Sequence, residues 1–384
     1  MASAGGVWIP AGEFGEIVHE LVMKEGGYFN AHAHLDRGFT IDPKYLEHYG
    51  ITPLQAASSP LKVKQNLTGE LHKSEAYQNV DDLKRRIEKQ LDVMIEGGVT
   101  SVITFIDATP DIGLSAIDVT DSLKEKYQKK LKLQIAAHPI FGFKEDLQYP
   151  VSRFDLFDKA CKKADIIGAL PEKDDRPDSI GSDAHIKNVL YFGNATKKPV
   201  HIHTGQDNDP RQRQVFDVIE AVRWLNVSWV AGGEPTVWLV HEISASAYDE
   251  TKRRKVLEGL KRYNIGVIIC PSAALSMRQN RAISSPTHNS IAMVLEMAYV
   301  GIPIRIGTDN INDMYVPATP PSMLFEVLTL SNAIRFYDPR VLAKFAAGKP
   351  LNQSDQERIR RHLEEDLKAY RSVDPNYKLC VDLD

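Results

Sequence analysis

Cysteine is scarce in this chain: Cys161, Cys270 and Cys380 are the three among 384 residues. Their number is odd and their spacing wide, so neither a disulfide framework nor a CxxC zinc pattern is present. Such usage suits a reducing compartment. Long hydrophobic runs are also missing. No stretch approaches the roughly 20 apolar residues needed to cross a bilayer, so no membrane partner is expected. The segment Met1 to Gly12 lacks a basic region followed by a long apolar run. No secretory signal is visible there, and a cytoplasmic location is expected. An excess of charge is absent too: 47 Lys plus Arg against 51 Asp plus Glu leave a net charge of -4. A chain so close to neutral has no global electrostatic reason to seek nucleic acid. Low-complexity segments and internal repeats are not seen.

What is present is an ordinary soluble balance, 43% hydrophobic and 26% charged, with a recurring alternation along the chain. Short apolar runs rich in β-branched residues alternate with longer amphipathic stretches, as repeated βα units do. Eight runs read as strands: Tyr28 to His34, Ser101 to Asp107, Leu131 to Pro139, Asp165 to Leu170, Val200 to Thr204, Trp238 to Ile243, Gly266 to Cys270, and Pro303 to Thr308. Helices are expected at Val80 to Glu96, Asp118 to Lys129, Arg213 to Leu225, Glu250 to Tyr263, and Ser290 to Tyr299. Leu83, Ile87, Leu91 and Met94 in the first of these recur at helical spacing.

This order predicts an α/β protein, a (β/α)8 TIM-type barrel. The alternative is an open doubly wound sheet. The lack of a Gly-rich fingerprint after the first strand weakens a dinucleotide-binding version of it. The expected organisation is an N-terminal extension over 1–27, the barrel over 28–345, and a helical C-terminal tail over 346–384. Leu35 to Lys73 is too long for a simple βα loop, and reads equally as a pocket wall or a surface excursion. Past the last strand, Met323 to Ala333 and Ser354 to Tyr370 read as helices. The second is so charged that it suits a solvated outer face or a contact in a homo-oligomer.

The chemistry sits at strand ends. In Asn30-Ala31-His32-Ala33-His34-Leu35-Asp36, strand alternation puts His32 and His34 on one face. Two imidazoles converging at a strand's C-terminal end can bind one divalent metal. His201 and His203 share a face in the fifth strand, with His203 nearer its end. The sixth run ends at His241-Glu242, and the eighth in Gly307-Thr308-Asp309-Asn310. Singly, His203 reads as a hydrogen-bonded core histidine and Asp309 as a turn cap. A carboxylate that ends a buried apolar run needs a cationic or metal partner, because burying an unpaired charge is costly. Four such sites at the same end of strands one, five, six and eight argue for a shared centre.

The pieces HAHLD, VHIHTGQDND, LVHEISAS, IICPS and GTDNIND resemble, in order, the amidohydrolase superfamily, and within it the cytosine deaminase-like branch. VTSVITFIDAT, LKLQIAAHPIFG and ADIIGALPEKD resemble that branch's second, third and fourth strands. The resemblance runs from about Tyr28 to about Leu324. It implies a metal-dependent hydrolase barrel in which His32, His34, His203 and Asp309 hold one divalent ion. Zinc is expected first, with iron or manganese as alternatives. His241 would then transfer protons and face the developing oxyanion, and Asp309 would accept the proton of the attacking water. A small-molecule substrate follows, with its non-peptide C–N bond cleaved by deamination.

Departures from the family pattern bear on the substrate. Gln206 stands where such deaminases carry a proton-shuttling Glu, and an amide cannot titrate. Asp36, Glu172, Asp207 and Asp313 are candidates to replace it. Asn310 stands in place of a second Asp, and Ile140 in place of the Gln that reads cytosine. These changes argue against cytosine itself. They favour a cyclic amidine, lactam or N-substituted heterocycle, or an amide or N-alkylamine hydrolysis. Glu172, Asn310, Ile140 and Asp313 are the expected substrate contacts, and Gln206 is grouped with His241 and Asp309 in the catalytic set. A binuclear site bridged by a carboxylated Lys173, or a scaffold that has lost catalysis, stays open. His138 reads equally as a pocket residue or a satisfied loop histidine. Arg278 and Arg281 read as a solvated face or an anion contact, and Cys270 as packing. A missing or reduced β-sandwich is expected, because the chain ends offer little strand pattern.

Overall fold

Buried parallel strands take nearly continuous apolar runs, because both faces are covered. The eight runs behave accordingly. The computed structural model describes residues 12–144, 148–277 and 290–383. Its strands are β1 (Tyr28–Ala33), β2 (Val99–Asp107), β3 (Lys132–His138), β4 (Ile166–Ala169), β5 (Val200–Thr204), β6 (Val237–His241), β7 (Ile265–Ile269) and β8 (Ile304–Ile306). They form one sheet in sequence order, with each strand parallel to the next.

Closure between β8 and β1 removes the open-sheet alternative. It takes place just beyond the short β8. The Asp309 N–H donates to the His32 carbonyl at 2.9 Å, and the His34 N–H donates to the Asp309 carbonyl at 3.1 Å. One step earlier, the Asn30 amide replaces ladder bonds, accepting from the Thr308 N–H at 3.1 Å and donating to Thr308 Oγ1 at 2.9 Å. Gly307 permits this approach. A Cβ there would lie 2.6 Å from the His32 carbonyl oxygen and 2.7 Å from the His32 nitrogen.

Helices fill the crossovers. They are α1 (Gly12–Lys24), α2 (Leu61–Lys73), α3 (Val80–Glu96), α4 (Ser115–Tyr127), α5 (Arg153–Lys163), α6 (Ser182–Thr196), α7 (Gln214–Leu225), α8 (Glu250–Arg262), α9 (Val294–Tyr299), α10 (Met323–Ile334), α11 (Pro339–Ala347) and α12 (Gln353–Val373). The amphipathic stripe of α3 packs inward through Leu83, Ile87, Leu91 and Met94, all fully buried. The Asn79 side chain caps its first turn by accepting from the N–H groups of Asp81 and Asp82. Sequence periodicity missed α1, α2, α5, α6 and α11. Within the Leu35 to Lys73 insertion the prolines mask α2, which begins straight after Pro60.

Helix α1 lies against α11, and α11 runs across position 345. The tail returns to α8, where Glu250 accepts from the Tyr377 hydroxyl at 2.8 Å and the Cys380 N–H at 2.7 Å. Among the described residues every strand in a sheet belongs to the barrel.

The barrel interior is stacked. At its base the Arg305 guanidinium lies 3.9 Å from the Trp238 ring centroid and 5.0 Å from that of Phe29. Glu234 closes this layer with an ion pair to Arg305 at 2.8 Å. Ile103, Phe105, Ala136 and Ile166 form the next layer. Phe105 then floors the histidine cluster, its ring 4.4 Å from His32 and 4.9 Å from His203.

Gly307→Ala is expected to cost about 1–3 kcal/mol, as overpacking does, because the new methyl meets backbone. Gly69→Ala in α2, with nothing nearer than 3.7 Å, should instead be neutral or stabilising by up to about 1 kcal/mol. Denaturant midpoints of the two variants measure the contrast.

Candidate metal centre and its buried support

Strand ends bring five side chains together. His32 Nε2 lies 3.3 Å and His34 Nε2 3.2 Å from Asp309 Oδ1, and His241 Nε2 lies 3.9 Å from Asp309 Oδ2. The His32 ring is 4.9 Å from that of His203, and the rings of His203 and His241 are 5.4 Å apart. Two overlapping groups, His32 with His203 and His241, and His32 with His34 and Asp309, place ligand atoms within 4.8 Å of one another. His203 Nδ1 donates to the Ala169 carbonyl at 2.9 Å, which leaves Nε2 as its ligand atom.

The donor set fits a divalent ion. His32 Nδ1 and Nε2, His34 Nδ1 and His241 Nε2 are buried without a hydrogen-bond partner. Burial is costly for such atoms unless something satisfies them. Burial also drives His34 and His203 well below the ordinary imidazole range and takes His241 to about 4. Burial alone would raise the Asp309 carboxyl. Contacts with His32 and His34 and the charge of His241 overcome it and hold the group well below the usual carboxylate range. Neutral imidazoles beside an ionised carboxylate are the protonation state that metal binding requires.

The backbone is bent to achieve this. His241, Glu242 and Asp309 have φ of 78°, 49° and 57°, left-handed values that non-glycine residues rarely adopt. Such strain concentrates at functional sites. At His241 it coincides with a break in strand alternation. Trp238 packs against the interior His201, ring centroids 6.2 Å apart, yet His241, three residues on, also joins the interior cluster.

The cluster opens into a cleft of about 50 Å³. That is room for about four waters at about 10–15 Å³ each, a space for a small ligand and not a polymer. Gln206, Ile140 and Asn310 line it, as do His34, His203, His241 and Asp309. Gln206 Nε2 makes no ordinary hydrogen bond, though its amide lies near enough to the Glu172 carboxyl to lower it. Two expected contacts lie behind the wall. Glu172 accepts from Gln65 Nε2 at 2.6 Å, and it is Gln65 that lines the cleft. Asp313 ties a turn, accepting from the N–H groups of Tyr315 at 2.8 Å and Val316 at 3.0 Å. Asp36 is similarly engaged by the N–H groups of Arg37 and Asp107. Lys173 lines a separate outer cavity of about 530 Å³. Burial and the charge of Arg176 lower its ammonium to about 8. Cys270 is buried, with its thiol pushed well up by burial. Arg278 and Arg281 lie outside the described residues.

Sequence reasoning missed the support behind the cluster. Asp107, at the end of β2, is fully buried. It meets His138 Nδ1 at 2.8 Å, His72 Nε2 and the Tyr77 hydroxyl at 3.2 Å, and Arg37 Nη1 at 3.5 Å. His72 Nδ1 continues to Asp111 at 2.7 Å, and Asp111 borders the outer cavity. Arg37 Nε donates to Asn310 Oδ1 at 3.0 Å. The available signals were Arg37 in HLDR and the aspartate ending a β-branched run.

No family model matches the chain. An uncharacterized protein of Haemophilus influenzae is 28% identical over 284 residues, 74% of this chain and 95% of its own. Among solved structures, 5-methylcytosine deaminase from Klebsiella pneumoniae, liganded with 5-fluorocytosine, superposes with a TM-score of 0.68 at 20% identity. That match covers 88% of this chain and 82% of the deaminase. The N-isopropylammelide isopropylaminohydrolase of Burkholderia multivorans gives 0.62 at 16% identity, with the same shares covered. Arabidopsis ADAL complexed with IMP gives 0.53 at 13%, covering 92% and 99%. The fold is shared. The likeness to these solved structures is one of fold, over most of the chain. Among the described residues no helix is long and apolar enough to cross a membrane.

Burial would lower His72, but hydrogen bonds to Asp107 and Asp111 raise it from 6.5 to about 9. A raised folded-state value contributes stability that is complete below the unfolded value of 6.5 and lost as pH rises through about 9. The chain should therefore lose stability between those limits. His72→Gln should be less stable at pH 6 and flatter across the window, as thermal unfolding at stepped pH will record.

Proposed function

We propose that this chain is a metal-dependent hydrolase that cleaves a non-peptide C–N bond of a small cyclic amidine, lactam or N-substituted heterocycle. Deamination is the leading reaction. The convergence of His32, His34, His203, His241 and Asp309 at the C-terminal end of one barrel carries this reading, since barrel active sites sit at that end. The solved structures sharing the fold include a deaminase and an aminohydrolase by name, which supports the same chemistry.

His32, His34, His203 and Asp309 would hold the ion, and imidazole with carboxylate suits zinc first, then iron or manganese. A divalent cation in this set supplies a water with a pKa lowered toward about 7 and polarises the carbon under attack. Asp309 Oδ2, not engaged by His32 or His34, accepts the proton of the attacking water. His241 Nε2, buried and unpartnered, faces the oxygen on which charge develops. Phe105 keeps water out from below. Gln206 positions the substrate by hydrogen bonding and cannot shuttle a proton by titrating. This favours a second reading on the same machinery, hydrolysis of an amide or N-alkylamine, in which Asp309 alone handles the proton. Free, buried Cys161, Cys270 and Cys380 suit a reducing cytoplasm.

The test joins elemental analysis to a screen of pterins, pyrimidines, triazines and lactams for release of ammonia or amine. Bound zinc with turnover is expected. Metal retained without turnover of any compound would favour an inactive binding scaffold. His203→Ala and Asp309→Ala should each lose both metal and turnover. His241→Gln should keep the metal and lower kcat by about 10²–10³-fold, the loss typical of one oxyanion donor. Gln206→Glu should gain deaminase activity, and equal rates in the two forms would remove position 206 from the mechanism.

A further inference from the structure

The cleft holds an imidazole that neither the ion nor the steps above employ. His138 is buried on the cleft wall, with Nε2 lacking any hydrogen-bond partner. It belongs to neither of the groups whose ligand atoms converge. Its Nδ1 lies 2.8 Å from Asp107 Oδ1.

Which nitrogen carries the proton follows from the surroundings of Asp107. That carboxylate faces the Arg37 guanidinium, His72 Nε2 and the Tyr77 hydroxyl. A carboxylate so surrounded is ionised and can only accept. His138 Nδ1 must therefore donate to it, and in the neutral ring Nε2 is left with a lone pair directed at the cleft. The ring cannot turn away without breaking the bond to Asp107, which is itself held from behind by His72 and, through it, by Asp111 at 2.7 Å. Donors line the same cleft. Arg37 Nη1, 3.5 Å from Asp107, and Gln206 Nε2, whose amide neighbours Glu172, are buried without an ordinary hydrogen bond, and both side chains line the cleft.

We propose that His138 reads the substrate: its Nε2 accepts a hydrogen bond from a ring N–H, while Arg37 and Gln206 donate to the adjacent carbonyl oxygen. The substrate class is thereby narrowed to heterocycles carrying an unsubstituted –NH–C(=O)– edge. This inference rests on the hydrolase reading for its setting, but its evidence is the arrangement of donors and acceptors. Asp107 acts as a positioning residue that fixes the tautomer. Ile140, apolar and two residues after His138, contributes shape only.

The test uses binding, which needs no turnover. 2-Pyridone presents the N–H and carbonyl together, and 2-pyranone is its isostere with ring oxygen in place of N–H. Titrated calorimetrically into the zinc-loaded full chain, 2-pyridone should bind about tenfold tighter or better, the effect of one satisfied buried acceptor. In His138→Asn the amide nitrogen can still donate to Asp107, but no atom occupies the Nε2 position. The preference should fall to within about threefold, with zinc content and melting temperature near those of the parent. Equal affinity of the parent chain for the two probes would overturn the proposal, as would absence of 2-pyridone binding. Either result can be read without the variant. A preference that survives in His138→Asn would assign the discrimination elsewhere and overturn it too. The hydrolase reading fails separately, through absence of ammonia or amine release, and an inactive scaffold would still show the probe preference.

Discussion

One backbone pairing carries both the fold and the site. Where β8 meets β1, His32, Asp309 and His34 exchange main-chain hydrogen bonds, and these same residues point their side chains at one another. The barrel cannot close without assembling half of the candidate metal site, and that site cannot shift register without opening the barrel. Gly307 is the steric condition for this contact, since any Cβ there would fall on the His32 backbone. The short length of β8 follows. Only Ile304–Ile306 pairs regularly with β7 before the chain turns to the left-handed geometry of Asp309.

The interior is electrically expensive, and the cost is arranged in two tiers. The inner tier is the imidazole and carboxylate cluster above Phe105, whose unpartnered nitrogens are the candidate ligands of a cation. In the outer tier Arg37, Asp107, His138, His72 and Asp111 alternate donors and acceptors. Buried polar networks rigidify a site when every member is satisfied and destabilise it otherwise. Here the network leaves Asp111 Oδ1, Arg37 Nη1 and His138 Nε2 without hydrogen-bond partners, and Arg37 and His138 line the cleft. Open valences on an otherwise connected network are a natural place for a ligand.

Much of this was legible in the residues. The two-residue period of a strand places His32 and His34 on one face, and His201 and His203 likewise, with no knowledge of tertiary contacts. All eight strands were legible as buried β-branched runs. The helices that were missed lack that clarity: α2 is masked by the prolines before it, and α1 precedes the first strand in what read as an extension. Among the candidate substrate contacts, Gln206, Ile140 and Asn310 reach the cleft, because they follow closely on strands whose direction is set by the sheet. Glu172 and Asp313 stand behind the wall, because the hydrogen bonds of Gln65 and of the Tyr315 and Val316 backbone engage their carboxylates.

The chain by itself determined the order of the strands, the facing of each histidine pair and the kinds of donor at each strand end, because these depend on local periodicity. Only the tertiary structure decided that Trp238 and His241 share the interior despite a spacing of three. A left-handed residue breaks the alternation, and no propensity announces one at a histidine. It also decided that Lys173 lines an outer cavity while His138 lines the inner one. Lys173 lies past its strand, where no period holds, and at the last residue of a strand the facing is settled by the group met there. For His138 that group is Asp107, set one strand away by the parallel register that pairs the two.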